Sequence, residues 1–498
     1  MTPRKLLFSV SITLLVTLAT SGSLAAQEEH AKHHHYVIVD LGTFGGPNSY
    51  VFGLDESSGV PEDQMLSVRG TATGVADTTV PDVFCLTPEC LVFHTFLWRD
   101  GVLTDLGSLP GVNDNDSFAE SVNAKGEVAG GSYNGLDSGT GLPLIEAILW
   151  KDGSIIDLGT LGGNQSWANG INNRGEVVGG ALNTSPDPFP GAWPSFFFFN
   201  TTQIHAFRWN NGVMKDLGTL GGPDSVAMFV NRKGQIAGQS FTSSIPNPPI
   251  SIFPCSSSGG LPTLDPFLWD DGRMRDLGNL GGTCGFPNYL NNRGQVVGQM
   301  NLAGDQTFHA FLWERGSLED LGTLGGNASY ASWINEAGEA VGRADVPGSQ
   351  AHHAFLWKDH VMNDLGTPDG FACSTAESIN SRHQIVGDSG TCFVGGNGFL
   401  WEKEGPIVTL QSLVVPGSDI THVTGASFIN DRGEIFAGGT LANGNTHDIL
   451  LIPCDENHAG IEGCDYASVE ATSGTAMSAE QKLADEPARS RRLHAVAE

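Results

Sequence analysis

A segment that recurs at a nearly fixed interval constrains this chain more than any other feature of its sequence. Copies of one apolar stretch end at tryptophans, and the last four of these tryptophans lie 44 residues apart. Self-similarity with a period of roughly 20 to 50 residues is the signature of proteins built by stacking one small unit. We therefore expect a repeat architecture over most of the chain. The tryptophans are Trp98, Trp150, Trp209, Trp269, Trp313, Trp357 and Trp401.

Each repeat contains three motifs in a constant order. The first ends at the tryptophan, as in His309-Ala-Phe-Leu-Trp313, and the second is the Asp-Leu-Gly that follows, as at Asp320. The third is an Asn-x-x-Gly element such as Asn172 to Gly175, which fits a turn with glycine in the left-handed position. Short apolar runs without a helical period separate these turn signals. The pattern predicts four strands per repeat, the size of one β-propeller blade.

A small hydroxyl residue stands six positions before the turn asparagine in most repeats, and in the first repeat it stands six before Asp55. A small residue at a fixed strand position suits a strand crowded near a shared axis, so we place this strand innermost and the Asp-Leu-Gly strand outermost. We expect the hydroxyls to end the inner strand, with lining of a channel mouth as the alternative. They are Ser49, Ser117, Ser166, Ser225, Ser329, Ser374 and Thr424.

The two ends of the repeat region complement each other. Tyr36 to Leu41 resembles an outer strand without a blade, and residues 427–453 supply three strands without an outer one. Pairing them would remove two exposed sheet edges. We predict an all-β fold, a single β-propeller of eight four-stranded blades whose last blade is closed by strands from both termini. Seven blades is the alternative, because the first repeat is irregular between Asp55 and Arg69.

The repeated His and Asp residues suggest a catalytic or metal-binding ring at first sight. A catalytic residue is needed once, whereas these recur in successive blades. We therefore expect each His to hydrogen-bond a neighbouring strand or turn, and each Asp of Asp-Leu-Gly to cap a turn or strand. Glu146 and Asp265 stand near the His position in two repeats, which would break a functional ring. The histidines are His94, His205, His309, His353 and His447.

Together, His-Ala-Phe-Leu-Trp, Asp-Leu-Gly-Thr-Leu-Gly-Gly and Ile-Asn-x-x-Gly-x-Val-Val-Gly resemble the HAF-type extracellular repeat of bacterial proteins. The resemblance covers residues 36–453, and several elements recur in the same order. It implies an extracellular protein. It brings no established activity and no catalytic residues, so the function has to be argued from this chain's own side chains.

The N-terminus has the order of a secretory signal peptide: Arg4 and Lys5, an apolar run to Leu18, then small residues before a cleavage site after Ala25 or Ala26. A membrane anchor is the alternative, but the run is short for a bilayer and no other segment could span. We predict a signal peptide over 1–25, an N-terminal arm over 26–35, the propeller over 36–453 and a mobile tail over 454–498. The protein would be secreted, extracellular or periplasmic.

Eight cysteines in a secreted chain favour disulfides. The strand order puts the Asn-x-x-Gly and Asp-Gly turns on one face of the ring, called here the turn face. The Leu-Gly-Gly links and the loops between the second and third strands lie on the opposite, loop face. Every sequential cysteine pair falls within reach on this scheme, and the absence of C-x-x-C argues against zinc. The candidate cysteines are Cys85, Cys90, Cys255, Cys284, Cys373, Cys392, Cys454 and Cys464.

The loop face is the predicted binding surface, because the first four repeats carry long middle loops: 77–93, 131–146, 181–203 and 241–265. An unusual aromatic run lies in the third loop and could stack on sugars or anchor a partner, or pack over neighbouring loops. An oxygen-rich link could bind calcium, with a solvated turn as the alternative. No other cofactor is expected. The aromatic candidates are Trp193, Phe196, Phe197, Phe198 and Phe199, and the calcium candidates are Asn113, Asp114, Asn115 and Asp116.

The formal net charge of −30 argues against a nucleic-acid partner, because such binding needs a basic surface. No sequence motif for a nucleophile, a zinc protease or a phosphate loop occurs. We predict a non-enzymatic binding or scaffold module whose ligand is a polysaccharide or a surface protein. The alternatives are an extracellular glycan hydrolase or lyase, which rests on fold analogy alone, and a purely structural surface protein.

Overall fold

The apolar runs between the turn signals form strands that pair antiparallel in groups of four. The computed structural model describes residues 32–50, 64–82, 90–110, 115–137, 143–190, 201–249, 260–348, 350–368, 370–392 and 394–470. Across these ranges the regular structure is β, apart from two short 3-10 helices at Leu410–Leu413 and Glu456–His458. No helix in the described part of the chain is long and apolar enough to cross a membrane.

The described strands of the propeller form eight four-stranded blades, numbered here 1 to 8, and in blades 1 to 7 the strands run from inner to outer in chain order. A single parallel bridge, Leu264 to Cys284, joins blades 4 and 5. Blade 1 contains Ser49–Tyr50, Ala72–Pro81, Leu91–Arg99 and Val102–Asp105, and blade 2 contains Ser117–Val122, Val128–Asp137, Pro143–Lys151 and Ser154–Asp157. Blade 3 contains Ser166–Ile171, Val177–Pro186, Thr202–Asn210 and Val213–Asp216, and blade 4 contains Ser225–Val230, Ile236–Phe241, Leu264–Asp270 and Arg273–Asp276.

Blade 5 contains Gly281–Leu290, Val296–Leu302, Phe308–Glu314 and Ser317–Gly322, and blade 6 contains Ser329–Ile334, Ala340–Asp345, His352–Lys358 and Val361–Gly366. Blade 7 contains Cys373–Ile379, Ile385–Thr391, Val394–Trp401 and Val408–Thr409. Blade 8 contains Ile420–Ile429, Ile435–Leu441, Thr446–Pro453 and, as its outer strand, Tyr36–Asp40. The N-terminal strand therefore completes the last blade as predicted, with Tyr36 opposite Pro453 and Asp40 opposite Ile449.

Buried asparagines on the turn face join seven of the eight pairs of neighbouring blades in the described residues, the exception being blades 1 and 2. In blade 5 the Asn291 Oδ1 accepts hydrogen bonds from the backbone N–H groups of Arg293 and Gln295. Its Nδ2 donates to the Gln295 side chain and to the carbonyl of Asn335 in blade 6, at 2.7 and 3.0 Å. The same inter-blade bond starts from Asn123, Asn172, Asn231, Asn335 and Asn380, and Asn430 donates to the Ser67 carbonyl of blade 1.

The turn of blade 1 lies later in the sequence than expected. Ser67 takes the place of the asparagine, because its Oγ accepts from the backbone N–H groups of Arg69 and Thr71 and Gly70 N–H donates to its carbonyl. The expected turn residue, Asp55, lies outside the described residues. An insertion of 12 positions between these two candidates (67 − 55 = 12) explains why the first repeat looked irregular.

Glycines of the second strand allow the inner strand to approach closely. A Cβ added at Gly179 would lie 1.9 Å from the carbonyl oxygen of Trp167, and the matching position in blade 6, Gly342, would meet the carbonyl of Tyr330 at 2.0 Å. In both blades the inner strand is bulged just beyond this contact. The last glycine of the Val-Val-Gly motif is therefore a packing requirement of the inner strand pair.

In three of the four long middle loops predicted from the sequence, the flanking strands extend into the loop and shorten it. The second strands of blades 1, 2 and 3 continue to Pro81, Asp137 and Pro186, and their partners begin at Leu91, Pro143 and Thr202. The antiparallel pairing of these strands continues to the pairs Pro81–Leu91, Asp137–Pro143 and Pro186–Thr202. The hairpins project on the loop face, which keeps the extra mass where it was expected.

The residues flanking the propeller pack on blades 7 and 8 at the turn face. Lys32–His33 pairs with Val469–Glu470, and His33, expected on an exposed arm, is buried with its Nδ1 3.0 Å from Glu402. Residues just after the last strand also pack there, since the His458 ring is buried between Asp455 and Glu434. The described start of the predicted tail, residues 454–470, is thus part of the folded body.

Two of the predicted disulfides lie wholly within the described residues. Cys373 is bonded to Cys392 within blade 7, and Cys454 to Cys464 just after the closing strand. Cys90 and Cys284 are disulfide-bonded too. Their predicted partners, Cys85 and Cys255, lie outside the described residues.

Candidate functional site

The repeated His and Asp residues form pairs within individual blades, at the loop-face end of the outer two strands. In blade 5 the His309 Nδ1 lies 2.9 Å from the Asp320 carboxylate, and Asp320 Oδ1 also accepts the N–H of Gly322 at 2.8 Å. Burial opposes ionisation, yet the hydrogen bond from His309 holds the pKa of Asp320 below its ordinary value. The other pairs are His94–Asp105, His205–Asp216, His353–Asp364 and His447–Asp40. The predicted bonding and capping roles are confirmed.

The hydroxyls at the start of the inner strands join adjacent blades. Ser329 Oγ accepts the N–H of Ala310 in blade 5 at 2.9 Å and donates to the carbonyl of Gly322, the last residue of the outer strand of blade 5, at 2.5 Å. Ser329 is 2 % exposed, and Ser49, Ser117, Ser166, Ser225 and Ser374 are also buried, so these six serines do not line a channel mouth, whereas Thr424 is half-buried. The equivalent bonds to a third-strand N–H are made by Ser49, Ser117, Ser166, Ser225 and Ser374.

Ser329→Ala is expected to lower the free energy of unfolding by about 2 kcal/mol, because a buried N–H and carbonyl would lose their partner. Ser332→Ala is the matched control in the same strand: Ser332 is also buried, but its Oγ has no hydrogen-bond partner in the described structure. Urea unfolding of both variants measures the difference. Equal losses of unfolding free energy would show that the Ser329 hydroxyl does not stabilise the contact between blades 5 and 6.

Two blades replace the His–Asp pair with two carboxylates. In blade 4 burial and the charge of Asp276 raise the pKa of Asp265 to about 6, although Asn279 Nδ2 donates to its carboxylate. In blade 2 burial and a hydrogen bond with Asp157 raise the pKa of Glu146. These are the departures seen in the repeat motif. Raised carboxyl pKa values often mark functional sites, so both pairs belong to the candidate surface.

The two faces of the ring carry different charge. Of the eight turns that join a first strand to a second strand, seven have a basic residue two positions after the turn Asn or Ser. On the loop face, seven Asp-Leu-Gly aspartates end outer strands in an exposed circle, joined by carboxylates of the links and hairpins. The turn-face cations are Arg69, Lys125, Arg174, Lys233, Arg293, Arg382 and Arg432. The circle comprises Asp40, Asp105, Asp157, Asp216, Asp276, Asp320 and Asp364. The loop face therefore disfavours polyanions.

Aromatic side chains of the inner strands meet near the turn-face end of the central channel. Tyr289 of blade 5 stacks on Trp333 of blade 6 with ring centroids 3.5 Å apart, and Trp333 contacts Phe428 of blade 8. Gln64 of blade 1 donates to the Tyr289 hydroxyl at 2.8 Å. Blades 1 and 5 are opposite in a ring of eight, so this bond crosses the channel.

The sequence-predicted site residues are only partly described. The aromatic candidates Trp193 and Phe196 to Phe199 lie outside the described residues, as do Asn113 and Asp114. Asn115 and Asp116 are buried: the Asn115 Nδ2 donates to the Leu109 carbonyl at 3.3 Å, and Asp116 Oδ1 accepts the N–H of Phe93 at 2.9 Å. These two side chains are thus positioned between blades 1 and 2 on the loop face.

The sequence interpretation missed a pair of Pro-Asp corners on the same face. Pro81-Asp82 and Pro186-Asp187 end the extended second strands of blades 1 and 3. The signal was present in the sequence as two similar segments, Thr78 to Asp82 and Asn183 to Asp187, hidden because the surrounding loops differ in length.

Comparisons with known proteins bear on the fold alone. No family model matches the chain, and no curated protein matches its sequence. A gluconolactonase from Xanthomonas campestris is 13% identical with a TM-score of 0.25, covering 50% of this chain and 78% of its own. The β-propeller domain of the trilobed protease from Pyrococcus furiosus is 8% identical with a TM-score of 0.37, covering 76% and 96%.

An acylaminoacyl peptidase from Pyrococcus horikoshii is 10% identical with a TM-score of 0.37, covering 78% of this chain and 59% of its own. These scores are low, so the propeller assignment rests on the strand order of the blades described above.

Proposed function

We propose that this protein is an extracellular binding or scaffold module that presents its loop face to a polysaccharide or a surface protein. The observation that carries the proposal is that the repeated and the non-repeated polar side chains lie in different places. The repeated His, Asp, Ser and Asn residues hydrogen-bond within and between blades. The side chains that depart from the repeat lie on the loop face, which is where a rigid scaffold usually carries its binding residues.

The charge of the loop face narrows the ligand class. A circle of aspartates repels acidic polymers, so a neutral polysaccharide or a protein surface with basic groups fits better. Apolar contact is available as well, since Ile245 in the middle loop of blade 4 is 75 % exposed. Exposed apolar side chains of this size are common anchors when they lie on a binding face.

An extracellular glycan hydrolase or lyase is the second candidate, favoured by the raised pKa of Asp265 and Glu146. A general acid needs such a pKa, but it also needs access to the substrate. Asp265 is only 3 % exposed, and the Glu146 carboxyl is held within its blade by a hydrogen bond from Asn134 Nδ2 at 2.8 Å. The binding module is therefore preferred, and a purely structural surface protein is the third candidate.

The test is incubation of residues 26–498 with a panel of polysaccharides, measuring both the protein retained and the new reducing ends. We expect retention on at least one neutral polysaccharide without new reducing ends. Ile245→Asp should reduce retention severalfold, whereas Val68→Asp, which alters a 41 % exposed valine on the turn face, should not. Release of reducing ends that is lost in Asp265→Asn would establish the hydrolase instead. Absence of retention, with no capture of a surface protein either, would leave the structural role.

A further inference from the structure

The Pro-Asp corner of blade 3 folds back against the link to blade 4. Asp187 N–H donates to the carbonyl of Thr201 at 3.0 Å, and its Oδ1 accepts the N–H of Phe189 at 2.8 Å. The Phe189 ring then packs on Phe241 of blade 4, with centroids 6.5 Å apart. The corner is thereby fixed over the loop-face end of the next blade.

Asp224, the last residue of that link, faces the same place. Its carbonyl accepts the N–H of Phe241 at 3.0 Å, and its Oδ1 accepts the N–H of Ile204 in blade 3 at 2.9 Å. Phe241 therefore contacts both elements: its N–H donates to the Asp224 carbonyl, and its ring packs on Phe189 of the Asp187 corner. Two carboxylates from successive blades therefore lie in one inter-blade seam.

One oxygen of this pair lacks a partner. Asp224 is 0 % exposed, and its Oδ2 makes no hydrogen bond in the described structure. Burial, together with the charge of Asp187, raises the pKa of Asp224 to about 7. A buried carboxylate oxygen without a donor is costly, and native proteins satisfy such groups with a partner, a water or an ion.

We propose that the carboxylates of Asp187 and Asp224 bind a divalent cation of the calcium type that joins blades 3 and 4. Calcium prefers oxygen ligands, and two carboxylates held by backbone N–H groups provide a preorganised part of such a ligand set. The cation would neutralise the seam and satisfy Asp224 Oδ2. This site is distinct from the oxygen-rich link at Asn113 to Asp116 that the sequence suggested.

The same arrangement recurs between blades 1 and 2. Asp82 N–H donates to the Cys90 carbonyl, as Asp187 does to Thr201. Asp116 Oδ1 accepts the N–H of Phe93, and its carbonyl accepts the N–H of Tyr133, as Asp224 does from Ile204 and Phe241. Because the seam occurs twice, the second copy provides an internal comparison for the experiment.

The experiment is calorimetric titration of Ca²⁺ into EDTA-treated protein, residues 26–498, with thermal unfolding in Ca²⁺ or EDTA as a second readout. The variants are Asp224→Asn, which keeps the acceptor for Ile204 N–H, Asp116→Asn at the equivalent position between blades 1 and 2, and Glu176→Gln as a buried carboxylate on the turn face of blade 3. We expect the wild type to bind calcium and to gain about 3 °C in Tm at saturating calcium. Asp224→Asn should bind one ion fewer and lose most of that gain, Asp116→Asn should keep the ion between blades 3 and 4, and Glu176→Gln should match the wild type in calcium stoichiometry and in the gain in Tm.

Two results would overturn the proposal. One is an unaltered calcium stoichiometry in a folded Asp224→Asn variant, including the case in which only Asp116→Asn loses an ion. The other is a wild type that binds no calcium at about 1 mM free ion, the weak end of extracellular calcium sites. Circular dichroism establishes that each variant is folded before titration.

Discussion

Replacing Asn291 with alanine is expected to lower the free energy of unfolding by about 4 kcal/mol. The side chain is 1 % exposed and makes four hydrogen bonds: two accepted from the backbone of its own turn, one donated to Gln295 and one donated across to blade 6. Truncation would leave several buried groups without partners, and each such group costs roughly 1 to 3 kcal/mol. The loss would weaken the seam between blades as well as one turn.

The measurement is urea unfolding of Asn291→Ala beside Asn292→Ala, its neighbour in the same turn. Asn292 is half-buried, and its side chain accepts the N–H of Arg232 at 2.9 Å and donates to Glu336, both in more exposed surroundings than the bonds of Asn291, so its loss should cost only about 1 kcal/mol. Asn291→Asp adds a sharper test: the acceptor remains, but both donations from Nδ2 become repulsions. Similar stabilities for Asn291→Ala and Asn292→Ala would contradict the role of the buried asparagines.

Val39→Pro is expected to destabilise the protein by about 3 kcal/mol or more, by opening the blade that both termini share. Leu41 N–H donates to the Asp448 carbonyl, and Cys454 N–H donates to the His35 carbonyl. Because ladder bonds alternate in an antiparallel pair, the N–H groups of Val37 and Val39 point to the partner strand, whereas that of Ile38 points outward. Proline at position 39 therefore removes a bond that holds the ring closed.

Ile38→Pro is the matched control for the pairing of Tyr36–Asp40 with Thr446–Pro453. Ile38 and Val39 are both half-buried, but proline is tolerated on an edge strand where the N–H faces outward. Thermal unfolding should give Val39→Pro a Tm well below that of Ile38→Pro. The reverse order, or equal values, would mean that Tyr36–Asp40 does not pair with Thr446–Pro453 in the register described.

Most of the fold could be predicted from the sequence because the same local signals recur in order. The Asn-x-x-Gly and Asp-Leu-Gly turns set the strand boundaries, and the unpaired strand at Tyr36 indicated how the last blade closes. Blade 1 was harder to predict, because Ser67 substitutes for asparagine in the turn and an insertion displaces it from the repeat. A serine supplies the same acceptor oxygen, so the turn survives although its sequence signal is lost.

The candidate site was less accessible to sequence reasoning. The structural roles of His309, Asp320 and their equivalents followed from repetition alone, and the structure confirms them. The Pro-Asp corners could not be connected with the links, since Asp187 and Asp224 lie 37 positions apart (224 − 187 = 37) and meet only through the packing of Phe189 on Phe241. Burial of one oxygen of Asp224 is a three-dimensional property that no spacing reveals.

Closure of the ring by Tyr36–Asp40 and Thr446–Pro453 is tested most directly by a disulfide between Ile38→Cys and Leu451→Cys. These two positions lie directly opposite each other in the paired strands. Such a directly opposite, non-hydrogen-bonded pair has a Cα separation of about 4.5 Å, within the range that a disulfide needs. Mass spectrometry of a protease digest should recover peptides containing positions 38 and 451 joined by a bond that reduction removes. The pair Ile38→Cys with Ile452→Cys, on opposite sides of the sheet, should give none. A folded double variant in which positions 38 and 451 never link would contradict a propeller closed by both termini.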